Sequence, residues 1–389
     1  MKNIVKYPLL IIFAAFIAVF SVLDMFVNRK VFSETENRFL EQKPSFSVKT
    51  LMNGKFTTKY ETYINDQFVL RDSWINLKSK AEYFIGKQEN NSVIYGKDGY
   101  MFEKYDRPDE ERIAKNIADV NVFFEKYSKT TPITFAIIPN SYTILKNKLP
   151  FGVELADQFA FIDELYEQVK PTGAATVSLK ESLLAHDQNY IFYKTDHHWT
   201  TYGAYLAYSD FVTAKGLKPI AYESLKGTEV QDFYGTYFSK TKFFATEPDI
   251  ITYLDIPTTS VTIDGKTTIE NADKKEVQVT GLYNLEQFEK RDKYAGFLYG
   301  NNGITKIKSQ NNQNKTEGKE TKILVIKDSY GNSFVPYLTY NYDEVVVIDL
   351  RAITVNISEF MAENSFDDVL FIYNFMNFAT DTNLARVKY

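Results

Sequence analysis

Two of the three histidines in this 389-residue chain stand side by side, in Tyr193-Lys-Thr-Asp-His-His-Trp-Thr200. Imidazole is the ordinary group for moving protons near neutral pH. An aspartate two residues from a histidine can fix its tautomer and stabilise the imidazolium. The stretch therefore has the parts of a general base with its orienting carboxylate; the bland alternative is a polar turn carrying surface histidines. Ser329 is the residue that answers to it. It follows the apolar run Lys322-Ile-Leu-Val-Ile326 and precedes a helical pattern with Phe334, Val335 and Leu338. A position just past a buried strand and just before a helix lifts a hydroxyl above the sheet edge, next to the N–H donors of the helix start. Gly331 is expected to permit a tight turn there. Taken alone, Ser329 reads more readily as a helix cap.

The elements that must position these residues are legible as strand–helix alternation. Ile133–Ile138 is almost wholly apolar, as expected for a strand with both sheet faces covered. It ends at Pro139-Asn140, and Asn140 is a site candidate because strand C-termini carry the chemistry of open α/β sheets. Glu110 to Lys129 is amphipathic at helical spacing. Asp157 caps a helix running to Lys170, and Ala175–Leu179 is the next strand. Thr200 or Thr201 caps a helix that stops at Gly216. Near the C-terminus, Lys322–Ile326, Val345–Ile348 and Val369–Tyr373 are strands, with helices after Ser329 and after the cap Asn356. Repeats of this length predict a parallel sheet with right-handed crossovers. Between residues 226 and 320 helical periodicity fades. Ile250–Leu254, Ser260–Ile263, an Asp264-Gly265 turn and the alternation Lys275–Val279 predict a β-rich insertion, followed by a polar loop at 309–318. Val93–Phe102 reads as a hairpin about Asp98-Gly99. Val48–Lys80 reads as one or two amphipathic helices.

The N-terminus is basic at Lys2 and Lys6 and then apolar from Pro8 to Val27, broken only by Ser21 and Asp24. About 20 apolar residues span a bilayer core. The run is longer than the core of a cleaved leader and has a poor cleavage site, so an uncleaved signal anchor with the C-terminal part outside the cytoplasm is expected; secretion after cleavage is the alternative. The absence of cysteine removes disulfides and thiolate chemistry and suits export. A net charge of −5 gives no reason to expect a nucleic-acid partner. Three histidines, two adjacent, give no recognised ligand spacing, so no metal is expected, nor any cofactor. The expected divisions are 1–30 (cytoplasmic start and anchor), 31–90 (helical linker region), 91–225 and 321–389 (the two parts of one α/β domain), and 226–320 (insertion and loop).

Asp328-Ser329 after a strand resembles the first block of SGNH hydrolases, with Lys327 where those carry glycine. Asp196-His197-His198-Trp199 resembles the string for which the DHHW family is named. That family is similar to the alginate O-acetylation proteins, whose Asp-x-His-Trp segment also precedes the serine. Glu36-Asn-Arg38, Gly96-Lys-Asp-Gly99, Ile138-Pro-Asn140, Tyr299-Gly-Asn301, Ile326-Lys-Asp-Ser329 and Asp349-Leu-Arg351 carry the same resemblance, in order, over nearly the whole extracytoplasmic part. It implies an SGNH-like three-layer fold, a parallel sheet with helices on both faces. By position it implies Ser329 as nucleophile, His198 as general base and Asp196 as its partner, with His197 at the variable middle position. The Ser329 amide and Asn374 or Asn301 are the expected oxyanion donors. Arg351 is expected either to bind substrate or to pair with Asp349. The resemblance also implies O-acetylation of an extracytoplasmic polysaccharide, with a membrane-bound acyltransferase as possible acyl donor. A carbohydrate acetylesterase or a non-catalytic glycan-binding protein of the same fold are the alternatives.

Overall fold

A computed structural model describes residues 7–33, 36, 38–258, 260–264, 277–315 and 318–389. The chain divides into two compact units, Met1–Asn90 with Ser239–Ala245, and Asn91–Phe238 with Thr246–Tyr389. In the first, α1 (Pro8–Phe26) opens on proline and has no buried residue. Its mean hydropathy is 2.6, and among the described residues it is the one helix long and apolar enough to cross a membrane, a candidate anchor or signal. The amphipathic stretch beyond it forms three helices, α2 (Val48–Met52), α3 (Lys55–Gln67) and α4 (Arg71–Phe84), rather than one or two. Left-handed residues at Gly54 (φ 74°) and Leu70 (φ 57°) interrupt the run. Arg38 pairs with both oxygens of Asp66, and Arg71 with Glu36 at 2.8 Å, so the Glu36-x-Arg38 block closes a local ion network; Asn37 lies outside the described residues.

The second unit starts with a hairpin, β1 (Val93–Tyr95) and β2 (Met101–Glu103), turning at Asp98 and Gly99 with positive φ as the Asp-Gly pair predicts. Then follow α5 (Glu110–Tyr127), β3 (Ile133–Ile138), α6 (Gln158–Val169), β4 (Ala175–Thr176) and α7 (Thr201–Ala214). Asp157 and Thr200 cap α6 and α7 with their side chains. Of the expected strand 175–179 only two residues pair, because β4 is the edge of the sheet; Val177 still donates to Phe135 O. The remainder is β5 (Gly227–Phe233), β6 (Asp249–Leu254), β7 (Ser260–Ile263), β8 (Val277–Val279), β9 (Ile304–Lys308), β10 (Lys322–Lys327), α8 (Gly331–Leu338), β11 (Glu344–Ile348), α9 (Ile357–Glu363), β12 (Asp368–Asn374) and α10 (Phe375–Thr380).

Eight strands form one sheet in the order β8-β7-β9-β11-β10-β12-β3-β4. From β11 to β4 every pairing is parallel, and β9, β7 and β8 extend the sheet antiparallel. Strands of the segment 226–320 are thus part of the main sheet, while β5 and β6 pair only with each other. Gly265, Lys275, Thr316 and Glu317, within the expected turn, alternation and polar loop, lie outside the described residues.

Alternation along the strands feeds two cores. Ile323, Val325, Val345, Val347, Leu370 and Ile372 face the layer of α7 and α8. Leu324, Ile326, Val346, Ile348, Phe371 and Tyr373 face that of α5, α6, α9 and α10. Side chains of both sheet faces are removed from water, which is why these strands read as continuous apolar runs rather than alternating ones.

Candidate active site

β10 is a central strand between the parallel β11 and β12, and β12 runs on past its end to Asn374. Asp328 and Ser329 occupy the exit from β10, and α8 begins two residues later. Asp328 is fully buried and holds the turn in place. One carboxylate oxygen accepts the Tyr330 N–H at 3.0 Å; the other accepts the Asn374 N–H at 2.8 Å and the Asn377 side-chain amide at 2.7 Å. Burial pushes this carboxyl up, against the pull of Arg351 and these hydrogen bonds. The Ser329 N–H has no partner among the described residues.

Gly331 lies in the expected tight turn, its N–H donating to Asp328 O at 3.1 Å. Its φ is not positive; it is small because Lys327 lies over it. A Cβ there would sit 2.7 Å from Lys327 Cβ and 2.8 Å from its Cγ. Gly331→Ala is therefore expected to destabilise the protein by about 1–3 kcal/mol through overpacking, measurable by chemical denaturation.

The Asp-His-His-Trp segment is a closed loop. Phe192 and Trp199 bridge antiparallel, the Tyr193 N–H donates to His198 O, and the Thr200 N–H to Ile191 O. Asp249 braces its start, accepting the N–H groups of Lys194 and Thr195 at 2.8 Å and the Thr195 hydroxyl. Trp199 is completely buried, and its indole N–H lies 3.0 Å from both Tyr330 O and Ser333 Oγ. The loop is thereby tied to the turn that carries Ser329.

His198 Nε2 lies 2.8 Å from Ser329 Oγ, and Nδ1 lies 2.6 Å from Asp196 Oδ1. Asp196 Oδ1 also accepts the His198 backbone N–H, and Oδ2 accepts the Thr236 N–H at 2.7 Å and its hydroxyl at 3.0 Å. Gly235 permits this approach: a Cβ on it would fall 2.2 Å from Asp196 Cβ. Burial pushes the Asp196 carboxyl up, but the adjacent histidines and the hydrogen bonds from His198 outweigh it and hold its pKa well below the usual carboxylate range. An ionised Asp196 can only accept, so Nδ1 carries the proton and Nε2 is left bare toward the serine hydroxyl. His197 turns elsewhere: its Nδ1 meets Thr236 Oγ1 at 2.7 Å, and its carbonyl accepts the Tyr330 hydroxyl. Asp196, His197 and His198 bring their ligand-type atoms within 4.8 Å of one another. The Asp196 oxygens already accept four hydrogen bonds, and His198 Nε2 faces Ser329, so these donors are spent on hydrogen bonding.

The other expected residues divide. Asn374 is a helix cap: its side-chain oxygen takes the N–H groups of Met376 and Asn377, and its amide donates to Ile138 O. One N–H of its side-chain amide is thus committed to Ile138 O, and its backbone N–H reaches the serine turn through Asp328. Asn301 Oδ1 accepts from Lys327 Nζ at 3.3 Å and from Asn332 Nδ2 at 3.1 Å. Two donors on its oxygen leave the exposed amide N–H₂ of Asn301 without a partner among the described residues. Arg351 forks onto Asp349, at 2.9 Å through Nε and 2.6 Å through a terminal nitrogen. Asp349 also faces Lys327 at 3.4 Å, and both side chains are buried. Burial raises the Asp349 carboxyl, yet Lys327 and Arg351 overcome it and hold it below its ordinary value; burial likewise lowers Lys327 against the pull of Asp349. Asn140 donates its backbone N–H to Gln158 Oε1, accepts the Gln158 amide on Oδ1, and donates through Nδ2 to the Tyr330 hydroxyl at 3.5 Å; none of these bonds joins it to Ser329.

Three residues of the site carried no signal in the sequence. Thr236 and Gly235 belong to a region without periodicity, and Tyr294 is one of 28 tyrosines. Yet the Tyr294 ring stacks on His198, with centroids 3.7 Å apart and planes 10° apart.

A mostly parallel sheet covered by helices on both faces, with an Asp-Ser turn at the end of a central strand, defines an SGNH hydrolase-like protein. Within that class the chain belongs to the DHHW family, described as "DHHW protein", whose sequence profile matches residues 137–348. A DHHW family protein from Eubacterium siraeum is similar in structure, with a TM-score of 0.63 and 25% identity over 77% of this chain and 96% of that one. PatB1 of Bacillus cereus has the same fold (TM-score 0.60, 21% identity, 75% of this chain and 98% of that one). A curated relative, the probable alginate O-acetylase AlgJ of Pseudomonas syringae, is 25% identical over 164 residues, 41% of this chain. The match spans 42% of that relative's own length.

Proposed function

We propose that this chain is an extracytoplasmic serine acyltransferase, held to the membrane by α1, that O-acetylates a polysaccharide through an acyl-Ser329 intermediate. The observation that carries the reading is the relay of 2.6 Å and 2.8 Å from Asp196 through His198 to Ser329. A serine hydroxyl is scarcely nucleophilic at its own pKa and needs such a base. In the first half-reaction Ser329 Oγ attacks the acyl carbonyl of the donor while His198 Nε2 takes its proton. The imidazolium, steadied by ionised Asp196, then protonates the leaving group. In the second half a sugar hydroxyl gives its proton to His198 and attacks the acyl-serine, and the imidazolium returns that proton to Ser329 Oγ as it leaves. The unpartnered Ser329 N–H and the amide of Asn301 are the donors we assign to the oxyanion; its own oxygen being held by Lys327 and Asn332 orients that amide.

The AlgJ relatives support a polysaccharide acceptor, and a membrane-bound acyltransferase is the donor partner that an anchored enzyme would meet. A carbohydrate acetylesterase would share the acyl-enzyme and differ only in admitting water in place of the sugar. The test uses the full-length protein in detergent. Ser329 is expected to be labelled by a fluorophosphonate and to pass acetate from an activated ester to an oligosaccharide, neither occurring in Ser329→Ala. Acetate released only to water would replace the transferase with the esterase; an unlabelled, folded protein would defeat both.

A further inference from the structure

We propose that Tyr294 is a positioning residue for the His198–Ser329 pair, its ring fixing the imidazole plane and its hydroxyl fixing the peptide of the serine. The inference rests on the acyl-serine reading and deepens it. Tyr294 lies in a short turn, Lys293–Gly296, far in sequence from both partners. It is buried, and its ring covers His198 face to face at 3.7 Å and 10°. Its hydroxyl donates to Ser329 O at 3.1 Å and is also 3.1 Å from Ser333 Oγ. One side chain therefore touches both members of the proton-transferring pair.

Geometry requires such a restraint. Asp196 holds only the Nδ1 corner of the imidazole, and rotation about that hydrogen bond would swing Nε2 away from Oγ. A flat ring packed parallel at van der Waals distance resists that rotation. The backbone bond to Ser329 O limits movement of the other partner. The same ring face acts on charge: an aromatic face is electron-rich and favours a cation above it, and an imidazolium is what His198 becomes at each proton transfer.

The titratable groups around the imidazole are Asp196 and His197 on its own segment, Tyr294 on one face, Tyr330 at 4.9 Å between centroids, and Ser329. Behind the last stands the carboxylate of Asp328, and Tyr237 flanks His197. Among the described residues, Tyr294 is the ring parallel to the imidazole; Tyr330 is tilted by 55° and His197 by 37°.

The experiment measures turnover of an acetyl ester against pH for the full-length protein and for Tyr294→Phe, Tyr294→Leu and a variant with pentafluorophenylalanine at 294. Tyr294→Phe keeps the stack and loses one hydrogen bond, so kcat should fall about threefold, roughly what one neutral hydrogen bond is worth. Tyr294→Leu should lower kcat by about 10- to 100-fold with KM little changed, as expected for loss of orientation. The acid limb of its pH profile should move down by about half to one pH unit, because a face that favours the imidazolium has gone. The fluorinated ring keeps the shape and reverses the charge of the face. It should reproduce the pH displacement with less loss of kcat, even if the leucine variant fails to fold. Raised KM with kcat and pH profile as in the wild type, or a fluorinated variant with no displacement, would overturn the proposal. A wild type that a fluorophosphonate does not label would instead remove the acyl-serine reading beneath it, and this proposal with it.

Discussion

His198→Ala is expected to lower kcat by roughly four to six orders of magnitude, and His197→Ala by about tenfold or less. The two residues are adjacent and chemically identical, so the contrast comes wholly from direction. His198 Nε2 faces Ser329 Oγ at 2.8 Å with Asp196 behind it, whereas His197 Nδ1 is spent on Thr236 at 2.7 Å. Part of what His197 gives the site is backbone: its carbonyl accepts the Tyr330 hydroxyl, and alanine keeps that carbonyl. Steady-state acetyl-ester turnover with a fluorophosphonate labelling rate for each variant decides it. Equal losses, or the larger loss in His197→Ala, would mean that the relay is not routed through His198.

Asp349→Asn is expected to cost about 3–5 kcal/mol of stability, while Lys327→Met costs about 1 kcal/mol. Asp349 is the anion shared by Lys327 and Arg351. Neutralising it leaves two cations close together with Lys327 buried, whereas removing Lys327 leaves the Arg351–Asp349 fork whole. The acid limb carries a second sign. Asp349 is held below the ordinary carboxylate value. Its contribution is therefore fully present above about pH 4 and is lost as pH falls through its lower native value. Wild-type stability should drop over that window, and the Asp349→Asn protein should lose less there. Urea denaturation at pH 7 and pH 3 measures both effects. Equal costs for the two substitutions would show that Asp349 is not the centre of the network.

Much of the architecture was legible because burial on both faces writes itself as apolar runs: Ile133–Ile138 is a strand from first to last residue, and Lys322–Ile326 misses only Lys327. The Asp-His pair and Ser329 stood out because histidine is scarce here and because a strand–serine–helix order is uncommon. Other features were hidden for physical reasons. Ile304–Lys308 has lysines on its outward positions and joins the antiparallel side of the sheet, so nothing in its pattern tied it to the central strands. A strand-end asparagine such as Asn374 reads as a helix cap as readily as an oxyanion donor, and the sequence did not show that its side-chain oxygen makes capping bonds. Gly331 was legible as a turn residue, but sequence does not show that the turn needs it for the space Lys327 occupies rather than for its dihedral angles. Tyr294 reaches His198 from nearly a hundred residues downstream, a proximity that only tertiary structure creates.

The strand order has one more consequence. β12 is the last strand in the chain, yet it sits between β10 and β3 near the middle of the sheet. Until it is inserted, β3 and β10 have no common neighbour, both leave a long apolar edge open, and Asp328 lacks the Asn374 and Asn377 donors that fix the serine turn. A chain in which β12 has not docked would thus expose unpaired strand edges and be prone to aggregate. Order in the Asp328–Ser329 turn is in this way made conditional on the docking of β12, the last of these strands.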